Sequence, residues 1–398
     1  MARDGNAKGM KETKFKDTEL GKIPEEWEVC NLGSIGVPLM CKRIMKWQTN
    51  KTAGVPFYKI GTFGKQADAF IAPDIWRYMI THFNYPKKGD ILISAAGTIG
   101  RTVVFDGQPS YFQDSNIVWI DNDEEKVLNP YLEYAYTKIA WSTDASTISR
   151  LYNSNLKSAL ILFPHDKAEQ QRIASALSDA DALVAELDVL IEKKRAIMAG
   201  TMQELLTGKR RLKGFSGERK ETSLSYFGNV TMGQSPSSLF YNDAKDGLPL
   251  IQGNADMCNR KSIIRNYTSK ITKTCNAGDI IMSVRAPVGA VGIASFDSCI
   301  GRGVCAFKRN IFLYYLLLFI EDDWSKLSAG STFESVNGNH IRNFEVTIPS
   351  SLAEQHAIAT ILSDMDAEIA ELEAKRDKYK EVRQGMMQQL LTGKIRLI

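Results

Sequence analysis

Two stretches of this chain carry apolar residues in steps of three, four and seven, the spacing of one face of an α-helix. Each stripe covers about 40 residues, which corresponds to a helix of about 60 Å at 1.5 Å per residue. We therefore predict continuous helices over residues 168–207 and 353–392. The apolar positions are Ile173, Leu177, Val184, Leu187, Ile191, Met198, Met202 and Leu205 in the first stretch, and Ile358, Leu362, Met365, Ile369, Leu372, Val382, Met386 and Leu390 in the second.

Polar residues mark where both helices should begin. Asp166 precedes Glu169 by three positions, and Ser351 precedes Glu354 by three positions. This spacing is typical of a capping box, in which the two side chains satisfy each other's backbone amides. We expect a capping box at each start. A glycine followed by a lysine comes after the last leucines of both stripes, as at helix C-termini.

The two stretches are copies of one sequence. Residues 168–212 and 353–397 align without a gap, and 24 of the 45 positions are identical. A repeat of this length indicates one supersecondary plan used twice, with approximate two-fold symmetry. Helices this long cannot bury their stripes on a compact domain, so we expect them to pair with each other. Two unrelated amphipathic helices are the alternative, but the stripes match position by position. The predicted pairing residues are Ile173, Leu177, Val184, Leu187, Ile358, Leu362, Ile369 and Leu372.

The regions before the helices have a different texture. They hold β-branched and aromatic residues in short runs broken by Gly, Asn, Asp and Pro, which favours mixed β structure. They also echo each other, since GDILISAAGTIGR begins at Gly89 and GDIIMSVRAPVGA at Gly278. We predict an α+β fold with two mixed α/β domains, 1–165 and 213–350, joined by long helices in 166–212 and 351–398, with pseudo-two-fold symmetry.

Composition narrows the class of protein. The 398 residues are 44% hydrophobic and 24% charged, which is ordinary for globular domains. The apolar run 311–320 is too short to span a membrane, and we expect it to be buried. The polar start lacks a signal peptide, so we expect a cytoplasmic protein. The six cysteines form no CxxC pair, which favours free thiols and no metal site.

Positive charge is concentrated in both predicted domains. Residues 29–67 contain six basic residues and no acidic one, and residues 258–309 contain nine basic residues and two acidic ones. Such clusters attract phosphates, and a merely solvated basic face is the alternative. Their presence on both halves favours duplex DNA as a partner. The candidate DNA-binding residues are Lys42, Arg43, Lys46, Lys51, Lys59, Arg101, Arg260, Lys261, Arg265, Lys270, Lys273, Arg285 and Arg302.

Catalytic motifs are not recognisable. The tetrapeptide NPYL at 129–132 resembles the motif of adenine methyltransferases but lacks its second proline, and no glycine-rich cofactor loop accompanies it. We interpret it as a turn that opens a helix. The Gly-Lys pairs end helices instead of beginning them, so they are not P-loops. We predict a binding protein without catalytic residues.

At this point the sequence resembles the specificity subunits of type I restriction-modification systems. The resemblance rests on a proline followed by AEQ before each long helix, on LLTGK after each, on the GDI turns and on IPEEWEV near the start. It extends over almost the whole chain. One departure is Arg219, where the second half would be expected to repeat Trp27.

The resemblance implies two target-recognition domains separated by antiparallel helices, each reading one half of a split DNA target. It implies two adenine-methylating modification subunits as partners, and restriction/translocase subunits besides. S-adenosylmethionine, ATP and magnesium would be bound only by those partners, and no cofactor by this chain. Repeated polar positions on the helices predict the modification-subunit contact: Asp179, Asp181, Glu186, Asp364, Asp366 and Glu371. The alternatives are a single-chain restriction nuclease or methyltransferase, for which the chain has no room, and a coiled-coil scaffold whose globular domains bind protein.

Overall fold

A computed structural model describes residues 14–141, 150–324 and 336–398. The chain divides into two compact units, which we call unit 1 (Met1–Glu186 with Arg376–Ile398) and unit 2 (Leu187–Lys375). Among the described residues, no helix combines the length and the apolar character needed to cross a membrane.

Unit 1 is built around two four-stranded sheets, with strand orders β10-β6-β7-β5 and β4-β11-β8-β9. Only the β10–β6 pair is parallel among the pairs of these two sheets. Two antiparallel pairs, β1–β2 and β12–β3, complete its described strands. The strands are β1 (Phe15–Thr18), β2 (Gly21–Pro24), β3 (Trp27–Asn31), β4 (Gly36–Met40), β5 (Thr49–Asn50), β6 (Val55–Tyr58), β7 (Phe70–Ile71), β8 (Ile91–Ser94), β9 (Thr102–Val104), β10 (Tyr111–Phe112), β11 (Ile117–Asn122) and β12 (Leu160–Pro164).

Strand β8 separates two apolar cores of unit 1. Successive side chains of a strand point to opposite faces. Ile91 and Ile93 accordingly enter one core with Trp27, and Leu92 enters the other core with Trp119. Both faces are buried, which explains the uninterrupted apolar run ILI. The described helices before the first long one are α1 (Pro73–His82), α2 (Asn129–Tyr136) and α3 (Asn153–Ser158). The prediction that NPYL opens a helix is confirmed by α2.

Unit 2 has a similar arrangement, but its two larger sheets contain six and five strands. It contains a six-stranded sheet of order β14-β24-β21-β22-β18-β17, a five-stranded sheet of order β15-β19-β16-β23-β20, and the pair β13–β25. Strand β21 again lies between two cores, since Ile280 and Met282 enter one and Ile281 the other. The strands are β13 (Arg219–Ser223), β14 (Thr231–Met232), β15 (Tyr241–Asn242), β16 (Leu248–Ile251), β17 (Met257–Cys258), β18 (Lys261–Ser262), β19 (Tyr267–Thr268), β20 (Thr274–Cys275), β21 (Ile280–Ser283), β22 (Val291–Ile293), β23 (Ser298–Ile300), β24 (Val304–Phe307) and β25 (Glu345–Pro349).

The apolar run 311–320 forms a buried helix, as predicted. With α4 assigned to the first long helix, Lys167–Thr207, this helix is α5 (Ile311–Phe319), and the Asn310 side chain accepts a hydrogen bond from the Leu313 amide at 2.9 Å. A short helix α6 (Gly338–Arg342) and the second long helix α7 (Leu352–Leu390) follow. The two long helices are thus confirmed within two residues at each end.

Ion pairs show that α4 and α7 run antiparallel within each unit. In unit 1, Arg383 donates to Asp181. In unit 2, Lys194 lies 2.6 Å from Glu368, and Arg195 lies 2.5 Å from Glu373. Closer to the end of α4, Arg211 pairs with Glu354 at the start of α7. Contacts later in α4 therefore meet earlier positions of α7, and the predicted α+β fold class with antiparallel long helices is confirmed.

Each predicted capping box is wrong in one of its two hydrogen bonds, the one that the glutamate side chain should accept. The side chain of Asp166 does accept from the Ala168 amide at 2.9 Å, and Ser351 Oγ accepts from the Glu354 amide at 3.4 Å. The glutamates, however, do not reach back to the cap. Glu169 instead receives two hydrogen bonds from Arg396, because its carboxylate is completely buried and needs a cationic partner.

This burial creates a pair of reciprocal locks between the repeat copies. In unit 1, Glu169 at the start of α4 binds Arg396, which follows α7, at 2.5 and 2.7 Å. In unit 2, Glu354 at the start of α7 binds Arg211, which follows α4, at 2.8 and 2.7 Å. Each unit is thus closed by an arginine from the other copy of the repeat.

Arg219 occupies the place of Trp27, which explains the departure noted in the sequence. Trp27 pairs with Pro164 in the β12–β3 register, and Arg219 pairs with Pro349 in the β13–β25 register. The Arg219 guanidinium donates to the Leu205 and Leu206 carbonyls at the end of α4 and to the Thr347 carbonyl of β25. A cation is favourable near the carbonyl groups at a helix C-terminus. Both side chains lie against the glycine that follows a long helix, since a Cβ at Gly393 would be 3.3 Å from Trp27 Cδ2 and one at Gly208 would be 2.7 Å from Arg219 Cδ.

Candidate nucleic-acid interface

The basic stretch of unit 1 surrounds a short 3-10 helix, Lys46–Gln48. Lys42, Lys46 and Lys51 are exposed. The ammonium group of Lys42 lies 5.4 Å from the centre of the Phe83 ring, and no described carboxylate pairs with any of the three lysines. These side chains are therefore available to a phosphate backbone.

Two other cations of this stretch pair with carboxylates that lie outside it. Arg43 Nε lies 2.8 Å from Asp114 Oδ2, and Lys59 Nζ lies 2.8 Å from Asp68 Oδ1. Arg101 is exposed and donates to the Gly64 carbonyl at 3.3 Å. The six basic residues counted along residues 29–67 therefore overstate the number of unpaired positive charges in this part of unit 1.

Unit 2 also contains engaged and free cations. Arg260 pairs with Glu321 at 2.6 Å, Arg265 lies 3.9 Å from Asp256, and Lys270 lies 5.1 Å from the centre of the Phe240 ring. The exposed candidates without an ion pair to any described carboxylate are Lys261, Lys270, Lys273, Arg285 and Arg302.

Both arginines of this group border a pocket of about 270 Å³ in unit 2. Arg285 follows strand β21, and Arg302 follows strand β23. The pocket is lined further by Ser235, Gln252 and Ser283. Both arginines belong to one basic stretch of the sequence, but the sequence does not show that they meet at one cavity.

Each unit also presents an exposed apolar side chain that the sequence pattern does not predict. Trp47, the middle residue of 3-10 helix Lys46–Gln48, is 81% exposed, and Leu239, the middle residue of 3-10 helix Ser238–Phe240, is 89% exposed. Both 3-10 helices lead directly into a two-residue strand, β5 or β15. The two positions are equivalent, but their sequences, MKWQ and SSLF, share no pattern that could have revealed this.

The predicted stripe residues divide into two groups. Ile173 and Leu177 are buried in a unit 1 core that also contains Leu390, and Ile358 and Leu362 are buried in a unit 2 core that also contains Leu205. Each helix start thus packs with the end of the other helix. Nearer the middle of the helices, Leu187 and Ile369 are buried, whereas Val184 and Leu372 are half-buried.

The predicted partner-contact residues differ in how free they are. Asp181 is engaged inside unit 1, where it accepts from Tyr134 Oη at 2.9 Å and from Arg383. Burial, and then this hydrogen bond, raises the pKa of Tyr134, which therefore stays a donor at neutral pH. Asp366 is exposed, with Lys261 and Arg260 within electrostatic reach. The remaining four are exposed on the long helices: Asp179, Glu186, Asp364 and Glu371.

Comparison with protein families gives one match that covers more than half of the chain. The family is described as "Type I restriction modification DNA specificity domain", and it matches residues 24–193 and 218–381. The two matched segments each contain one globular region and extend into the long helix that follows it. The duplication deduced from the helices therefore coincides with a duplication of the family domain.

Two similar proteins are named as specificity subunits of type I restriction enzymes. A putative type I restriction enzyme specificity subunit of Methanocaldococcus jannaschii is 30% identical, with 97% of this chain and 98% of the relative covered. A putative type I restriction enzyme specificity subunit of Haemophilus influenzae is 52% identical over 174 residues, which cover 44% of this chain and 45% of that relative. The match to the second relative therefore concerns less than half of either chain.

Solved structures agree in fold. The S subunit of a type I restriction-modification system from M. genitalium superposes with a TM-score of 0.64 at 16% identity, covering 92% of this chain and 96% of that one. A chain from a structural study of complex assembly and conformational transition of the type I R-M system gives a TM-score of 0.55 at 20% identity, covering 94% and 99%.

Proposed function

This chain belongs to the family of type I restriction modification DNA specificity domains, and we propose that unit 1 and unit 2 each read one half of a bipartite double-stranded DNA target. The chain is a DNA sequence-specificity subunit and a non-catalytic one, since its relatives are specificity subunits by name. Specificity subunits of these systems work with DNA and with the other subunits of the complex.

The observation that carries the proposal is a shared framework with different charged side chains. Strands β8 and β21 lie in the same way between two cores, and seven residues separate each of them from the next strand. The side chains that follow these strands differ between the units. Two residues after the strand end, unit 1 has Ala96 and unit 2 has Arg285. A common framework with different polar edges allows two units of one chain to recognise different base pairs.

The long helices would set the distance between the half-sites. A helix of 41 residues, such as α4, is about 60 Å long. The DNA duplex turns once in about 34 Å. Rigid helices of this length, linked by ion pairs such as Lys194–Glu368, would therefore hold a fixed number of unread base pairs between two readers.

The exposed polar faces of the helices would receive two methyltransferase subunits. Asp179, Glu186, Asp364 and Glu371 are exposed and recur in both copies of the repeat. A helix that only packs against another helix would need matching apolar positions alone. Restriction/translocase subunits would join as further partners, and S-adenosylmethionine, ATP and magnesium would be bound by those subunits.

An exchange of recognition segments tests the proposal. Replacing residues 32–159 by the matching segment of a related family member keeps the β3–β12 pair and the long helices. We expect the sequence around methylated adenines in a host carrying the system to change in one half-site only. The matched exchange of residues 224–344, inside the β13–β25 pair, should change the other half-site only. A change in both half-sites, or in the spacing alone, would contradict the two-reader proposal.

A further inference from the structure

The pocket between Arg285 and Arg302 has a rigid wall. A Cβ atom at Gly303 would lie 2.1 Å from the Gln252 carbonyl oxygen, so the chain can approach this closely only as glycine. The Arg302 amide donates to Ser235 Oγ at 3.0 Å, and Ser283 Oγ donates to the Arg285 carbonyl at 2.7 Å. The backbone of both arginines is therefore held in place, which lowers the cost of fixing a ligand between their side chains.

The size and polarity of the pocket point to part of a larger ligand. Its volume of about 270 Å³ lies just below the range of roughly 300–1,000 Å³ that is usual for small-molecule sites. Both guanidinium groups are exposed at its rim, and neither pairs with a described carboxylate. Two free cations at a small polar cavity suit a ligand edge rich in hydrogen-bond acceptors.

The equivalent positions in unit 1 form an ion pair. The parallel pair β10–β6 aligns Phe112 with Tyr58, and the parallel pair β16–β23 aligns Ile300 with Ile251. Two residues beyond these strand ends stand Asp114 in unit 1 and Arg302 in unit 2.

The partners of these two residues are equivalent as well. Arg43 and Ser235 each precede the 3-10 helix of their unit by three residues. Arg43 binds the Asp114 carboxylate at 2.8 Å, whereas Ser235 binds only the backbone of Arg302. Together with Ala96 and Arg285, these positions are neutral in unit 1 and carry two positive charges in unit 2.

We propose that Arg302 reads the edge of a guanine in the half-site of unit 2, with the base edge entering the pocket that Arg285 borders. A guanine presents two acceptors, O6 and N7, in the major groove, and a bidentate arginine is the commonest specific contact to them. A phosphate contact fits the comparison less well, because both units must grip the same backbone, whereas unit 1 cancels the charge at this position. The proposal rests on the proposed function, since it assigns one base within that target.

The test measures binding of the chain, assembled with its modification subunits, to duplexes that carry the methylated motif. Each duplex has one base pair of the unit 2 half-site replaced. For R302A we expect cognate binding to weaken by about 5- to 150-fold, and discrimination at one guanine position to disappear. Discrimination at all other positions should remain. R302K keeps the charge but lacks the planar fork, so discrimination at that guanine should fall without disappearing.

K273A is the matched control, because Lys273 is an exposed cation of the same unit without an ion pair to a described carboxylate. It should weaken all duplexes alike and lower the salt dependence. If R302A also weakens binding to all duplexes alike, and R302K restores that binding, Arg302 contacts a phosphate and the proposal is overturned. Unchanged binding by R302A, or a unit 2 half-site without guanine, would overturn it while leaving the two-reader function intact. Wild-type binding that ignores sequence would overturn both.

Discussion

Removal of the Arg396 guanidinium tests whether the reciprocal locks close each unit. In R396A, the carboxylate of Glu169 would lose both hydrogen bonds from its cationic partner. The Glu169 side chain is 0% exposed and that of Arg396 is 8% exposed, so water cannot replace the lost partner without opening the unit. The additional contact of Arg396 with Glu26, at 3.0 Å, involves a carboxylate that is 63% exposed and contributes little.

The expected loss of stability follows from this burial. Breaking a buried ion pair by removing one partner costs about 3–5 kcal/mol, which corresponds to about 100- to 4,000-fold more frequent opening. The equivalent variant in unit 2, R211A, should cost less. The Arg211 side chain is 28% exposed, so water already reaches part of this pair and weakens it.

Hydrogen exchange followed by mass spectrometry separates the two units. R396A should speed exchange at the start of α4, residues 167–177, and in strand β3. R211A should speed exchange at the start of α7, residues 352–362, and leave the start of α4 as in the wild type. The double variant E169M with R396M should recover most of the protection, since apolar residues of similar size replace a buried pair at little cost.

Two results would refute this account. Wild-type exchange in R396A would mean that the buried carboxylate is tolerated without its partner. Equal acceleration at both helix starts in R396A would mean that the lock does not act on unit 1 in particular. Neither result is compatible with a carboxylate that only Arg396 neutralises in a site closed to water.

Three further predictions concern the helices. L187D places a charge at a position only 5% exposed and should lower the unfolding free energy by several kcal/mol in denaturant titration; an unchanged midpoint would contradict the burial. G385A should raise the free energy of unfolding by roughly 0.5–1 kcal/mol, whereas G393A should lower it, because Gly393 has φ +69° and its Cβ would lie 2.4 Å from the ring of Pro24. Thermal melts that rank the two variants the other way would contradict these conformations. Lysine at both Asp364 and Glu371, which are exposed, should abolish co-purification with the modification subunit without changing the melt, so retained co-purification would refute docking on this face.

The long helices and the duplication could be predicted from the sequence because both depend on local patterns. A stripe such as Ile173, Leu177 and Leu187 is visible within one helix, and the repeat is visible by alignment. The reciprocal locks were missed because Glu169 and Arg396 lie 227 positions apart. A glutamate three residues after a polar cap predicts a local partner, and only the three-dimensional fold shows that a distant cation competes for it.

The candidate DNA-binding residues show the same limit. A count of charge along the sequence treats Arg43 and Arg302 alike, as members of two basic stretches. The structure distinguishes them, since Asp114 neutralises Arg43 and no described carboxylate neutralises Arg302. Arg219 is a related case. The sequence shows that a tryptophan is absent there, but only the helix-end carbonyls show why arginine is a suitable replacement.

The reciprocal locks also have a consequence for how such a chain could arise. Each lock joins a glutamate at the start of one long helix to an arginine that follows the other long helix. A polypeptide with a single recognition unit and a single long helix would carry both the glutamate and the arginine, but the two would lie at opposite ends of that helix and be unable to pair. Two identical copies, side by side and antiparallel, would exchange glutamate and arginine twice in one isologous contact, which closes a symmetric dimer. Gene duplication and fusion would convert that dimer into one chain without changing a buried contact. Once fused, the two units could accumulate different substitutions, and a palindromic target would become an asymmetric one.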